Sequence, residues 1–376
     1  MKRATIVLPT YNEKENIKIL IPEIFTIAQY VQNWSISILV IDDTSPDGTA
    51  DEVKLLQKKY KNLHLIVGPK LGLGNAYQRG FRYATDNLGP DFIFEMDADR
   101  QHNPNILPKF LKKIDEGAEF VIGSRYIKGG GIPESWAFYR KFFSYFGNWV
   151  LRLGFMKLSI TDWTSGYRAI KTDFIDKTLP LYKKLNGYTF QIGILDNAIK
   201  NHLRIAEVPF YFEERGKGES KIKTLEFVVN NLLYIFFNSS FVKFAFVGVT
   251  GAVIDFCISF VLIEMFRLRV FFSTIISAET AIVTTFVFNN YWSFAHKKVA
   301  HKLNSFIRSF VKYNTVSAGN ILIQAVLLEI ATIIFPLKFW FVYKFIILAV
   351  VIIPYSYFMY NQVIWKQSPQ KLANKE

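Results

Sequence analysis

The run Phe92-Ile93-Phe94-Glu95-Met96-Asp97-Ala98-Asp99-Arg100-Gln101-His102 decides how the first half of the chain is read. Phe92–Met96 is short, apolar and β-rich, and two carboxylates follow it at once. Working outward, Thr5–Leu8, Ile36–Ile41, Leu63–Val67 and Phe120–Ile122 have the same strand-like character. Between these runs lie helix-length amphipathic segments that begin near Asn12, Thr49, Gly72 and Asn105. Such alternation predicts an α/β domain with a mainly parallel sheet. In sheets of this kind ligands bind at the carboxyl ends of the strands, so the residues just after each strand carry the chemistry.

Those ends are strongly polar. They read Pro9-Thr10-Tyr11-Asn12-Glu13, Asp42-Asp43-Thr44-Ser45-Pro46-Asp47-Gly48, Lys70-Leu71-Gly72-Leu73-Gly74 and Asp97-Ala98-Asp99-Arg100-Gln101-His102. Three carry carboxylates and Lys70 stands at the fourth. So many acids repel one another unless a cation or hydrogen-bond donors sit among them. On an extended segment Asp97 and Asp99 would point apart, whereas a turn at the strand end brings both to one site. Hard oxygen ligands suit Mg²⁺ or Mn²⁺, which bind substrate phosphates and keep waters. A lone D-x-D is common in solvated turns; the neighbouring acidic strand ends are what favour metal here. The glycines after Lys70 do not complete G-x-G-x-x-G, because Tyr77 fills the last place, so a dinucleotide fold is not supported. A nucleoside diphosphate held mainly through metal fits better.

Further along stand Gly123-Ser124-Arg125-Tyr126, a basic aromatic helix from Tyr139 to Phe146, and Thr161–Arg168, which reads as an ordered loop. Phe212–Lys221 reads as a flexible, charged, hairpin-like stretch, and Ile222–Phe237 as an amphipathic helix. Lys141 and Lys223 suit a membrane-surface face on which long side chains snorkel. Arg125, Arg140 and Arg215 suit anion binding, since phosphate is best held by fixed guanidinium forks.

Composition places the rest. The 376 residues are 51% hydrophobic and 16% aromatic, with 36 Phe, and mean hydropathy is +0.17. A soluble chain of this size has no interior for so much apolar surface, and disorder is excluded by the same figures. Four apolar segments, about Phe241–Met265, Val270–Phe288, Asn314–Phe335 and Phe339–Tyr360, are long enough for a bilayer core of ~30 Å. Lys297, Lys298, Lys302, Arg308 and Lys312 lie between the second and third, and Lys366, Lys371 and Lys375 follow the fourth. The opposite connectors hold only Arg267, Arg269 and Lys338. The positive-inside rule then sets both termini in the cytoplasm. The run after Met1-Lys2-Arg3 ends at Pro9, too short for a secretory signal, which gives the same expectation for the first half. The net charge of +14 alone would suit a nucleic-acid binder, but the basic residues cluster beside the spans, so nucleic acid is not an expected partner. Cys257 is the single cysteine, so no intrachain disulfide forms.

Taken together, the motifs in residues 1–222 resemble the family-2 inverting glycosyltransferases of GT-A (Rossmann-like) α/β fold, and within them the polyprenyl-phosphate (dolichol-phosphate) mannose synthases. The resemblance rests on the strand-end motifs above, on Ser165-Gly166-Tyr167-Arg168 and on Arg215-x-x-Gly218-x-Ser220-Lys221. Residues 241–366 resemble the all-α, four-helix GtrA-like transmembrane domain through Phe288-Asn289-Asn290-Tyr291-Trp292-Ser293-Phe294. The expected organisation is a cytoplasmic catalytic domain over 1–222, an interfacial helix over 223–240, the spans over 241–366 and a basic tail over 367–376.

The resemblance implies a membrane-bound enzyme that uses Mg²⁺ or Mn²⁺ to transfer mannose from GDP-mannose to a polyprenyl (dolichyl) phosphate, with inversion. It assigns Pro9, Tyr11, Glu13, Asp42, Asp43 and Lys70 to the nucleotide sugar. Asp97, Asp99 and Gln101 go to the metal on the donor diphosphate. Arg125, Arg140 and Ser144 go to the acceptor phosphate, and Arg215 closes over the site; Asp99, Arg125, Arg140 and Arg215 form the catalytic set. The chain departs from the family at Arg100 and Asn103 in the metal loop, and at Gly193, where relatives carry Glu. UDP-glucose as donor, and a lipid-linked sugar translocator in place of an enzyme, are the alternatives. His102 is either a group behind the metal ligands or a polar turn residue, and the second reading is favoured. Asp255, Glu279, Glu329 and Lys344 lie at or near membrane depth. Pairing of the two glutamates with Lys344 and a place near an interface are both open, and anchoring or lipid presentation stands above transport.

Overall fold

The computed structural model describes residues 1–182, 185, 187–213, 224–268, 270–297, 303–336 and 339–365. Seven strands form one sheet: β1 Lys2–Thr10, β2 Trp34–Asp42, β3 Leu63–Val67, β4 Phe92–Glu95, β5 Phe120–Ser124, β6 Arg168–Lys171 and β7 Ile205–Pro209. Their order is β3-β2-β1-β4-β6-β5-β7, and β6 alone runs antiparallel to its neighbours. The mainly parallel α/β reading therefore holds, and β6 and β7 are additions to it. The helices α1 Lys14–Ala28, α2 Thr49–Gln57, α3 Leu73–Tyr83 and α4 Leu107–Asp115 start within two residues of the expected positions. They are followed by α5 Phe138–Gly154, α6 Thr172–Thr178, α7 Gly187–Lys200 and α8 Thr224–Asn238.

Burial on both faces explains why the strands read as continuous apolar runs. Ile6, Leu8, Ile38, Val40 and Phe94 pack with Ile17, Leu20, Ile21 and Ile24 of α1 and with Phe110 and Leu111 of α4. The α1 residues recur at helical spacing, which puts them on one stripe. On the other face α3 lies so close that a Cβ at Gly80 would stand 2.6 Å from Val7 Cγ1 and 3.0 Å from Ile41 Cδ1. Only a glycine allows that approach.

The chain divides into two compact units, residues 1–153 with 157–232, and residues 154–156 with 233–376. The second unit holds α9 Ser240–Phe260, α10 Val270–Phe288, α11 Leu303–Ile334, α12 Trp340–Ile347 and α13 Ile353–Val363. Among the described residues, one helix, Ser240–Met265, is long and apolar enough to cross a membrane, with a mean hydropathy of 2.3. The other three expected spans coincide with α10, the second half of α11 and α12 through α13. Small residues let α9 and α10 meet closely, since a Cβ at Gly251 would lie 2.4 Å from Thr285 Cγ2. Ser277 donates to Asp255 at 2.6 Å, Glu279 is exposed, and the side chain of Lys344 lies outside the described residues.

Candidate functional site

Strands β2, β1 and β4 are mutually parallel, with Thr10 opposite Asp42 and Val7 opposite Glu95. Their carboxyl ends therefore share one edge, and the strand order reverses between β1 and β4. A doubly wound sheet opens its ligand crevice at such a reversal. Residues 9–13, 42–48 and 97–102 leave the sheet there.

The first two segments are laced together. Asn12, at φ 61°, donates its N–H to Ser45 Oγ, Glu13 N–H goes to Thr49 Oγ1, and Lys14 N–H goes to Asp47 Oδ2. Asp42 is buried and accepts from Thr10 Oγ1 at 3.1 Å, Ser45 Oγ at 2.6 Å and Ser45 N–H at 2.9 Å. Its carboxylate thus holds the loop. Asp43 pairs with Arg79 of α3, which also donates to the Pro69 carbonyl at 2.6 Å. Burial raises the Asp43 carboxyl above its ordinary value, although the Arg79 guanidinium pulls the other way. Lys70 Nζ lies 3.3 Å above the Tyr11 ring, so these two meet at the mouth. Pro9 is the penultimate residue of β1, paired with Ile41, and Glu13 Oε2 accepts from Asn16 at 2.6 Å.

Residues 97–102 form a tight turn directly after β4. Arg100 takes a left-handed φ of 65°, a conformation that costs a non-glycine residue about 1 kcal/mol or more. It lets Gln101 N–H reach back to Asp99 Oδ1 at 3.1 Å. Asp99 is buried, whereas the Asp97 side chain is 32% exposed and so opens onto the crevice. Tyr77 OH donates to Asp97 Oδ1 at 3.3 Å. A Cβ at Gly166 would come within 3.9 Å of both Asp97 oxygens, so the glycine lies directly against that carboxylate. Gln101 Nε2 donates to the Glu213 carbonyl at 3.0 Å, and Asn103 Nδ2 to Glu213 Oε1 at 2.9 Å.

His102 is no turn decoration. It is buried, stacks on Tyr167 at 4.9 Å, and accepts the Asp97 N–H through Nδ1 at 2.9 Å. Burial brings its pKa down to about 4, so the ring is neutral near pH 7. Beneath the loop Glu95 is fully buried opposite Arg168, and burial pushes its pKa up to about 7 against the pull of Arg168. The burial of His102 behind Asp97 goes against the favoured reading of it as a polar turn residue, and Tyr77, Gly166 and Glu95 were not identified from sequence as parts of this site. Tyr77 showed there only as the residue that breaks a glycine pattern.

Arg125 follows β5 and is buried. Its Nε and Nη2 meet both oxygens of Asp162 at 2.7 Å, and Nη2 also donates to Thr164 Oγ1 at 2.8 Å. Arg140 on α5 is exposed, with its guanidinium 3.6 Å above the Trp136 ring. Ser144 Oγ and Tyr126 OH lie 2.5 Å apart, which ties α5 to the loop after β5. Arg215 lies outside the described residues.

The donor set fits a hard divalent cation in one respect and limits it in another. Asp97 and Asp99 offer carboxylate oxygens at one turn, with the Asp97 side chain partly exposed. Among the described residues no group of three His, Cys, Asp or Glu side chains is placed to hold an ion. An ion there would complete its shell from substrate oxygens and water.

Residues 5–179 match glycosyl transferase family 2, and residues 243–365 match the GtrA/DPMS transmembrane domain. The chain is 32% identical over 302 residues to a dolichol-phosphate mannosyltransferase of Pyrococcus furiosus, covering 78% of this chain and 81% of the relative. It is 36% identical over 225 residues to a polyprenol monophosphomannose synthase of Mycolicibacterium smegmatis, covering 59% and 81%. Over 221 residues it is 35% identical to an undecaprenyl-phosphate mannosyltransferase of Micrococcus luteus, covering 58% and 87%.

Proposed function

From the premise that the chain belongs to glycosyl transferase family 2, we propose that it transfers mannose from GDP-mannose to a polyprenyl phosphate at a membrane. It is a glycosyltransferase with a GtrA-type membrane domain. Prenyl-phosphate mannosyl transfer is supported by the relatives above, of which the Pyrococcus protein aligns over 78% of the chain. The observation that carries the chemistry is the Asp97–Asp99 turn at the strand reversal, with the Asp97 backbone held by His102, its carboxylate touched by Tyr77 and its side chain partly exposed.

In this reading Pro9, Tyr11, Glu13, Asp42, Asp43 and Lys70 form the nucleoside side of the crevice. Asp42 serves by holding the loop, and Lys70 and Tyr11 line the mouth. Asp97 and Asp99, with Gln101 through its Oε1, would hold Mg²⁺ or Mn²⁺ on the donor diphosphate. When bound, the ion supplies neutralisation of the leaving group. Arg125, Arg140 and Ser144 receive the acceptor phosphate, with Arg215 joining from the segment after β7. An acceptor phosphate oxygen forms the new bond to the sugar C1 as the bond from C1 to the diphosphate oxygen breaks, and GDP leaves. The acceptor is already ionised near pH 7, so no strong general base is required. In-line attack on an α-linked donor gives a β-linked product. The basic connectors support four spans with both termini in the cytoplasm. The domain limits are those expected from sequence.

The test is a donor screen with purified full-length protein, a short polyprenyl phosphate and Mn²⁺ or Mg²⁺ in detergent. The expected result is label in lipid from GDP-mannose, abolished by chelator. Label from UDP-glucose would correct the donor, and no transfer from any donor would contradict the reading.

A further inference from the structure

We propose that Asp162 is the positioning residue of the acceptor-phosphate site, an inference that rests on the functional reading above. Its side chain is fully buried and accepts from Arg125 three times, through the backbone N–H at 3.1 Å and through Nε and Nη2 at 2.7 Å each. A two-point clasp of this kind sets the plane of the guanidinium as well as its position. Asp162 itself is fixed by the N–H of Ser165 at 3.0 Å. Behind it Glu207 of β7 accepts the N–H of Thr161 at 2.9 Å and of Asp162 at 3.1 Å.

The same loop reaches the other acceptor residues. Trp163 donates its N–H to Asn148 Oδ1 at 2.8 Å, and Asn148 Nδ2 donates to Thr164 Oγ1 at 3.3 Å and to the Ser144 carbonyl at 3.0 Å. Asn148 and Ser144 lie on α5, one turn apart, on the helix that also carries Arg140. Residues 161–165 thereby lock Arg125 and the Ser144 turn of α5 into one frame. Gly166, next in the chain, faces the Asp97 carboxylate. One loop therefore sets the acceptor side while its end bounds the donor side.

The experiment compares the wild type with Asp162→Asn, Arg125→Lys and the double variant, measuring KM separately for a short polyprenyl phosphate and for GDP-mannose. Asp162→Asn is expected to raise the acceptor KM about tenfold or more and leave the donor KM within about twofold. Because Asp162 acts through Arg125, the double variant should be no worse than Arg125→Lys alone. A purely structural role would move both KM values and would add to the Arg125 effect. Should Asp162→Asn fail to fold, Thr164→Val removes only the hydroxyl between Arg125 and Asn148 and is expected to shift the acceptor KM in the same direction. An unchanged acceptor KM in a folded variant, with wild-type transfer intact, overturns the inference alone. Absence of transfer by the wild type overturns the functional reading with it.

Discussion

The imidazole of His102 grips Asp97 from behind: Nδ1 accepts the Asp97 backbone N–H at 2.9 Å, and Nε2 stands 3.6 Å from Asp97 Oδ2. Since Nδ1 accepts, the proton of the neutral ring is on Nε2, the nitrogen that faces the carboxylate. The Nδ1 contact fixes the backbone of the residue that the functional reading places at the metal.

Groups that orient a metal ligand typically change affinity about 10- to 100-fold when removed. His102→Asn should accordingly require about that much more Mn²⁺ for half-maximal activation, with turnover recovering at high metal. A metal titration of transfer activity checks this. An unchanged titration would return His102 to a packing role.

Gly166→Ala tests the face of the same carboxylate against which the glycine lies. The added methyl meets His102 Cε1 at 3.7 Å and both Asp97 oxygens at 3.9 Å, ordinary contact distances. Thermal stability should therefore stay within about 1 kcal/mol. The methyl occupies the approach to Asp97, so the metal requirement and the donor KM should rise. Activity assays beside melting curves separate the two effects.

At the far side of the sheet the same operation is disruptive. Gly80→Ala puts a methyl 2.6 Å from Val7 Cγ1, and overpacking of this kind costs about 1–3 kcal/mol. Adding Val7→Ala should recover part of the loss, because the clash is with that side chain. Chemical denaturation of the single and double variants gives the comparison.

Glu207 gives a pH dependence. Burial raises its carboxyl above the ordinary value, although the backbone N–H groups of Thr161 and Asp162 work against that shift. The folded protein then holds the Glu207 proton more tightly than the unfolded chain does. Its contribution is fully present below the unfolded pKa of about 4.3 and is lost as pH rises through the raised folded value. Glu207→Gln removes this dependence. The stability difference between variant and wild type should therefore shift toward the variant as pH rises across that window, and melting at several pH values measures it.

The ends of β1, β2 and β4 were legible because their apolar runs are buried on both faces, so sequence hydrophobicity marks the strand and polarity marks its end. The Asp97–Asp99 turn could be read for the same reason. Strand β6 could not: Arg168 opens it and Lys171 closes it, and a charged residue is an unusual core member. Arg168 is buried because the Gln191 and Trp163 carbonyls accept from it at 2.6 and 2.9 Å. His102 was misread for a similar cause. Its burial comes from Tyr167, Phe210 and Phe212, more than sixty positions away in the chain. The pairing of Arg125 with Asp162 spans 37 positions and leaves no local pattern.

The central claim is that a metal held at Asp97 and Asp99 drives mannosyl transfer to a polyprenyl phosphate. The most direct measurement is transfer of labelled mannose from GDP-mannose into lipid by the wild type and by Asp99→Ala, each with saturating Mn²⁺. The variant's fold is verified by its melting curve. The account predicts loss of about 100-fold or more in the variant. Normal turnover by a folded Asp99→Ala protein would contradict it.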